Sequence, residues 1–535
     1  MGSDLAAQVA RAGFFADHGY TPVDLRWYAG VDQLGYSLVS QPVMALLGVR
    51  VTGVLSLIGA AVLLAVLLRR TGAPRPWLGA VVGTVCVAGN LVSGRVTYGL
   101  GVFFALAALV ALTGPRLRRL AFLPALLASA TSPVAGLFVG LAGVALALSG
   151  RVAGGLLIAL PAAAPLGLSA LLFGDGGWMN ISRTDTIRAV VAGLAVALLV
   201  PRRAIRIGAV LSAAGVLAAA LIHTPVGLNA TRLAVMFTLP LLAAYAAVPW
   251  RTTGNRQARV DSTSSPRPID GPAAGGTSFR GPAGGASAAG PAGGASAAGP
   301  SIVRRVLAGA GVVVLLAVAC WWQPPVVTAD LRDIGNPSAE KAYFAPLLDR
   351  LRQEQLTGRV EIPATRAYWE AARMGDTPLA RGWLRQADID RNPLFFTDIP
   401  GARGTGVPLN QQTYRDWLAQ LAVQFVAVPD AELTWSGRPE AELVTGGLPY
   451  LAMIWSNEHW RLYAVTDPQP IVAPPATLVG HTASTLTVEV PAGADITVRV
   501  RYHRWLRATG GAVVEPTGDW TLLRAPGPGR YTITS

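Results

Sequence analysis

Long apolar runs alternate with short arginine-bearing loops through the first half of the chain, and beyond residue 323 the pattern changes to short runs of mixed period. A helix needs about 20 residues to cross a bilayer. Apolar stretches that approach this length recur at 43–68, 77–94, 97–113, 120–131, 133–149, 152–173, 186–200, 207–222, 231–249 and 302–322. They predict about ten spans, of which 120–131 and 186–200 are short. A multi-pass membrane domain over 43–250 is therefore expected, with a last span at 302–322.

Arginine sets the orientation, because cations concentrate in short cytoplasmic loops. With residue 1 outside, one set of loops collects Arg69, Arg70, Arg75, Arg116, Arg118, Arg119, Arg151, Arg202, Arg203, Arg206 and Arg251. The opposite set holds Arg11, Arg26, Arg95, Arg183, Arg188 and Arg232, with His18 and His223. It also holds every acid of the first 250 residues, namely Asp4, Asp17, Asp24, Asp32, Asp175 and Asp185. This places a first loop, 1–42, and everything after about residue 323 outside the plasma membrane. Polar, amphipathic sequence directly follows Met1, which leads to the expectation of one further helix upstream.

Between the last two spans, residues 251–301 turn to Gly, Ala, Pro and Ser, with PAGGASAAG at 282–290 repeated at 291–299. Such composition buries too little apolar surface to offset backbone entropy, so a disordered cytoplasmic linker is expected.

The outer C-terminal region divides in two. Over 326–468 an amphipathic helix at AEKAYFAPLLDRLRQEQ, a strand at 358–362, a helix around Tyr414 and Trp417, and strands at VQFVAVP and WRLYAV predict an α/β domain. Over 469–535, TLTVEV and ITVRVRY alternate apolar and polar positions between Gly and Pro turns, which predicts a small β-sandwich. Eight tryptophans lie in this region, and their first expectation is core packing. The densely polar stretch 364–393 marks Glu370, Arg381, Trp383 and Asp388 as a surface for an acceptor or for contact with the membrane domain.

Composition supports the membrane reading, at 52% hydrophobic residues and a mean hydropathy of +0.43. The net charge of +14 is largely the cytoplasmic arginine, so a nucleic-acid partner is set aside. Two cysteines build neither a disulfide framework nor a zinc site.

The first loop carries the densest chemistry. Asp4, Gln8 and Arg11 share a helical face, and Gly19 to Pro22 breaks that helix before Asp24, Arg26 and Trp27. A carboxylate held at a bilayer interface can act as general base for a sugar hydroxyl or help to bind a divalent cation. Arginines meet phosphate oxygens in a planar fork.

This loop, followed by PVMALLGVRVTG, NLVSGRVTYGLGVFFALAALVAL and GLNATRLAVMFTLPLL, resembles the actinobacterial multi-span proteins related to the GT-C glycosyltransferases. The resemblance covers residues 1–250 and implies sugar transfer from a polyprenyl-phosphate donor to a cell-envelope glycan or lipid. It implies Asp4 as the loop carboxylate and Asp24 as the reserve. It also implies Arg11, Arg26, Arg232 and His223 on the donor phosphate, Trp27 on the acceptor side, and a divalent cation as the one cofactor to be considered. A transporter or flippase of envelope precursors is the rival reading, and a non-catalytic anchor for the outer domain is the third. Coupled carriers usually need ionisable groups at mid-membrane, and the centres of these spans contain none.

Overall fold

The computed structural model describes residues 2–174, 177–247, 299–324, 328–331 and 333–535. The 251–298 part of the expected linker, Arg251 and Asp175 lie outside the described residues. The chain forms two compact units, Met1–Ala246 with Leu316–Ser535, and Ala247–Leu315.

The first unit opens with α1 (Leu5–His18), a short hairpin of β1 (Val23–Asp24) and β2 (Val31–Asp32), and α2 (Ser40–Leu47). Apolar helices follow as α3 (Val49–Arg70), α4 (Pro76–Val92), α5 (Val96–Thr113), α6 (Phe122–Thr131), α7 (Pro133–Leu148), α8 (Val152–Leu172), α9 (Arg183–Leu199), α10 (Arg203–Leu221) and α11 (Arg232–Tyr245). α12 (Gly299–Trp322) begins in the second unit and ends in the first. Each apolar run of the sequence thus holds one helix. The first predicted span is the exception, because Gly48 at φ 86° breaks 43–68 and leaves α2 separate from α3.

Among the described residues, five helices are long and apolar enough to cross a membrane: α3, α5, α8, α10 and the run Gly227–Tyr245 that contains α11. α4 and α7 are apolar but shorter. Small residues bring the helices together, since a Cβ on Gly143 of α7 would stand 2.6 Å from the Gly155 carbonyl of α8. Val62, Trp77, Val81, Leu160 and Leu198 are exposed on the outside of the bundle. A soluble protein rarely leaves so much contiguous apolar surface uncovered, whereas lipid covers it without cost.

The C-terminal region is rich in β-sheet. It comprises α13 (Thr328–Leu331), α14 (Lys341–Arg352), β3 (Arg359–Glu361), α15 (Glu370–Arg373), α16 (Arg385–Arg391), α17 (Gln411–Gln420), β4 (Val423–Pro429), α18 (Arg438–Thr445), β5 (Leu451–Ser456) and β6 (Trp460–Val465). The sheet order is β3-β4-β6-β5, with only the β3/β4 pair parallel. The remaining strands are β7 (Thr477–His481), β8 (Leu486–Val490), β9 (Ala494–Arg501), β10 (Arg507–Ala508), β11 (Val513–Thr517), β12 (Trp520–Ala525) and β13 (Gly529–Thr534). They form two antiparallel sheets, β10-β13-β8-β7 and β11-β12-β9, around a shared core that includes Val488, Val498 and Leu523.

The first loop is not a free loop. Leu5, Ala6, Trp27, Tyr28 and Val31 belong to the same buried cluster as Phe344, Leu347 and Trp460 of the C-terminal domain. The backbone joins too: Leu379 N–H donates to Arg26 O at 2.7 Å, Arg501 N–H to Ala29 O at 2.7 Å and Leu25 N–H to Ala483 O at 2.8 Å. Residues 1–42 therefore form a seam between bundle and C-terminal domain, which the sequence expectation of a separate 1–42 segment did not contain. The same end of the bundle meets that domain elsewhere, through Trp505 Nε1–H on Leu172 O at 3.2 Å and Arg183 N–H on Gly401 O at 2.9 Å.

Candidate functional site

At this seam three helix starts converge. Asp4 is the residue before α1, Arg95 the residue before α5, and Arg232 the first residue of α11. α1 reaches this place because Gly94, at φ 73°, has no Cβ; an added one would lie 2.5 Å from Leu5 N. Asp4 N–H donates to Ser93 O at 3.2 Å and fixes the start of the helix against the α4–α5 turn.

The Asp4 carboxylate (Oδ2) lies 3.1 Å from Arg95 Nε and 3.7 Å from Arg232 Nη2, and the three side chains keep 16, 25 and 22% of their surface exposed. That exposure leaves the trio reachable by a ligand. Two guanidinium groups face the Asp4 carboxylate, and the start of α5 lies beside them, where the helix dipole favours an anion.

Arg95 also stands at one end of a narrow crevice of about 10 Å³, room for about one water molecule, between α3, α4 and α5, lined by Gly53, Leu57, Val87, Asn90, Leu91 and Val96. The crevice is apolar apart from Asn90 and Arg95. Beside the trio, Thr97 Oγ1 donates to Gln8 Oε1 at 2.6 Å and Gln8 Nε2 donates to the Tyr36 hydroxyl at 3.0 Å. Burial raises the Tyr36 phenol above its ordinary value, with Arg11 opposing. The buried Tyr98 hydroxyl meets no hydrogen-bond partner, while the Arg232 guanidinium lies 5.1 Å from the Tyr98 ring centroid.

Trp383 reaches this site from the C-terminal domain. Its Nε1–H donates to Ser3 O at 3.0 Å, and its ring meets Tyr36 edge-on at 6.0 Å. Asp330 of α13 reaches it too, accepting from Ser93 Oγ at 2.5 Å and from Ser3 N–H at 3.2 Å.

The other sequence candidates lie elsewhere. Asp24 is fully buried and clasped by Arg26, with Nε to Oδ1 at 3.0 Å and Nη2 to Oδ2 at 2.7 Å, and Gln33 Nε2 donates to it at 2.6 Å. It holds the loop together and cannot serve as a second base. Arg26 is spent on that pair. Arg11 is also fully buried, donating to Gln33 Oε1 at 2.8 Å with its guanidinium 4.2 Å from the Tyr36 ring centroid. Trp27 is a core residue, packed so closely that a Cβ on Gly382 would stand 2.6 Å from its ring. His223 is exposed and stacks on Trp178 at 4.3 Å, with no hydrogen bond or ion pair to the Asp4 trio.

The expected acceptor surface is corrected as well. Glu370, Arg381 and Asp388 are 4, 5 and 2% exposed and belong to the interior. Arg381 forks onto Asp388 at 3.1 and 2.9 Å and reaches Glu440 at 2.9 Å. Of the four outer candidates, only Trp383 approaches the Asp4 site. Sequence reasoning placed Arg95 on this side but outside the site, and it passed over Tyr36 and Asp330. A charged residue at the foot of each of two apolar helices was the available signal for pairing Arg95 with Arg232.

A divalent cation does not fit these residues. The Asp4 carboxylate is engaged by two guanidinium groups, and among the described residues no group of three or more His, Cys, Asp or Glu could hold a metal ion. No family model, no curated protein and no solved structure matches the chain, so its function is argued from this geometry.

Proposed function

We propose that the chain is a GT-C-like membrane glycosyltransferase that moves a sugar from a polyprenyl-phosphate donor to a cell-envelope acceptor at the outer membrane face. In this reading the ten apolar helices are spans, and the first loop and C-terminal domain are extracytoplasmic. The observation that carries it is the trio of Asp4, Arg95 and Arg232 at the foot of apolar helices whose outer faces, such as Leu55, Ile58 and Val62 of α3, are exposed. A lipid phosphate has one anionic end and one long hydrocarbon end, and this place offers a matching element for each.

The chemistry follows from exchange of partners. An entering phosphate takes Arg95 and Arg232, whose planar forks fit its oxygens. Asp4 is thereby released from its ion pairs and is free to accept the proton of an acceptor hydroxyl as that oxygen attacks the anomeric carbon. The phosphate departs with its charge held by the two arginines. Trp383, at the outer-domain side of Ser3, supplies an aromatic edge toward the acceptor.

A transfer assay in membranes with radiolabelled polyprenyl-phosphate sugars tests the proposal, comparing the full chain with Asp4→Asn. Transfer by the wild type and its loss in the variant are expected. Undiminished transfer by Asp4→Asn removes the site assignment. No transfer with any donor, together with substrate movement across vesicles, assigns the chain to the carriers instead.

A further inference from the structure

Among the described residues, a buried carboxylate away from the Asp4 site has no donor to satisfy it. Glu361, the last residue of β3, is fully buried, and neither of its oxygens has a hydrogen-bond donor among the described residues; Arg381 Nη1 stands 3.6 Å away. Its neighbour is a second buried carboxyl, Glu440 of α18, whose Oε2 faces the same Arg381 Nη1 at 2.9 Å. Around the pair, Asp388 of α16 forks onto Arg381, Tyr414 of α17 donates to Glu440 Oε1 at 3.0 Å, and Asn392 Nδ2 donates to Asp388 at 2.8 Å. Tyr28, Arg385 and Tyr368 are the next titratable groups outward.

Three carboxylates thus surround one guanidinium out of reach of water. An unpaired buried charge is costly, and two adjacent carboxylates relieve the cost by holding a proton between them. We propose that Glu361 and Glu440 share one proton, Glu361 O–H donating to Glu440, and that this shared proton holds the Arg381–Trp383 segment against the residues that carry Asp4.

The mechanical link runs through consecutive residues. Arg381 sits in the cage, Gly382 lies against the Trp27 ring and accepts the Tyr28 hydroxyl at 2.5 Å, and Trp383 donates to Ser3 O. Loss of the proton to water leaves two charged carboxylates in contact beside Asp388. Their repulsion acts on Arg381 and so on the segment that ends at Ser3. Burial raises both carboxyls above their ordinary range, Glu440 raises Glu361 further, and Arg381, Tyr414 and the bond to Glu361 oppose the rise at Glu440, in keeping with one retained proton held on Glu361. The bearing on sugar transfer rests on the reading of Asp4 above. The proton and the segment are measured without turnover, so that reading can fail while this one stands.

The test uses the full chain in nanodiscs, in a Glu370→Gln background because that carboxyl also titrates near neutrality. Glu361→Gln, which mimics the protonated acid, is expected to keep the wild-type melting midpoint at about pH 6 and to exceed it at about pH 9. Asp388→Asn, which removes an ionised partner of Arg381, is expected to lower the midpoint throughout. Fluorine NMR of fluorotryptophan-labelled protein is expected to show the Trp383 resonance moving at alkaline pH in wild type and staying fixed in Glu361→Gln. The infrared band of a buried protonated carboxyl at neutral pH is expected in wild type and absent in that variant. If Glu361→Gln does not accumulate, Glu440→Gln and the wild-type infrared titration decide. The proposal is overturned if Glu361→Gln loses as much stability as Asp388→Asn, if the infrared band is absent from wild type, or if the Trp383 resonance is fixed in wild type or titrates alike in both.

Discussion

Asp4 and Arg95 meet at 3.1 Å across ninety residues of chain, one at the start of an amphipathic helix and the other at the foot of an apolar one. The contact exists because Gly94 lets α1 press on the α4–α5 turn. It joins a carboxylate and a cation at the foot of the apolar helix α5.

The two carboxylates of the first loop are predicted to answer to different measurements. Asp4→Asn is expected to leave the melting midpoint nearly unchanged, because its pairs are partly exposed, and to cut transfer by about 10²- to 10⁴-fold. Asp24→Asn breaks a buried bidentate pair, with a stability loss on the order of 3 kcal/mol. Thermal unfolding of both variants, read beside transfer, checks this. Equal destabilisation by the two would show that Asp4 is structural as well.

Gly382→Ala tests the seam. The new methyl would stand 2.6 Å from the Trp27 ring, among immovable core neighbours. A loss of about 1 to 3 kcal/mol is expected from overpacking of this kind, together with faster proteolysis between bundle and C-terminal domain. A wild-type melting curve for Gly382→Ala would mean that this contact does not hold the seam.

The Glu370 carboxyl gives a pH signature. Burial raises it to about 7, against hydrogen bonds from Thr365 that favour ionisation. The folded state therefore holds a proton that the unfolded chain releases nearer the ordinary glutamate range. Its stabilising contribution is whole below that range and declines as pH rises through about 7, a loss on the order of 3 kcal/mol once both states are ionised. Unfolding midpoints between about pH 4 and about pH 8 should fall in wild type and fall less in Glu370→Gln. An identical slope in both would show that Glu370 does not titrate there.

Hydropathy located the apolar helices because a lipid-facing run needs no periodicity, only length; VQFVAVP coincides with β4, a strand buried along nearly its whole length, and WRLYAV with β6, where buried Trp460 and Leu462 flank exposed Arg461. The break at Gly48 was hidden, since one residue at positive φ changes the helix without changing hydropathy. The role of residues 1–42 was hidden for another reason. Trp27, Tyr28 and Val31 look like a polar loop's occasional apolar residues until their partners, more than three hundred positions later, are known. Arg381 and Asp388 were misplaced because their charges resemble a surface, while their mutual pairing makes them an interior. Asp4 was legible by position; its partner Arg95 was legible only as a cation on the same side.

The most direct measurement of the central claim is photolabelling of the full chain in membranes with a diazirine-bearing polyprenyl phosphate, mapped by mass spectrometry. Adducts are predicted on the apolar helices beside Arg95, at exposed positions of α3 such as Val54 and Leu55, falling about tenfold or more in Arg95→Gln and Arg232→Gln, as loss of a charge-assisted contact implies. Labelling confined to other helices, or unchanged in both arginine variants, would contradict the account.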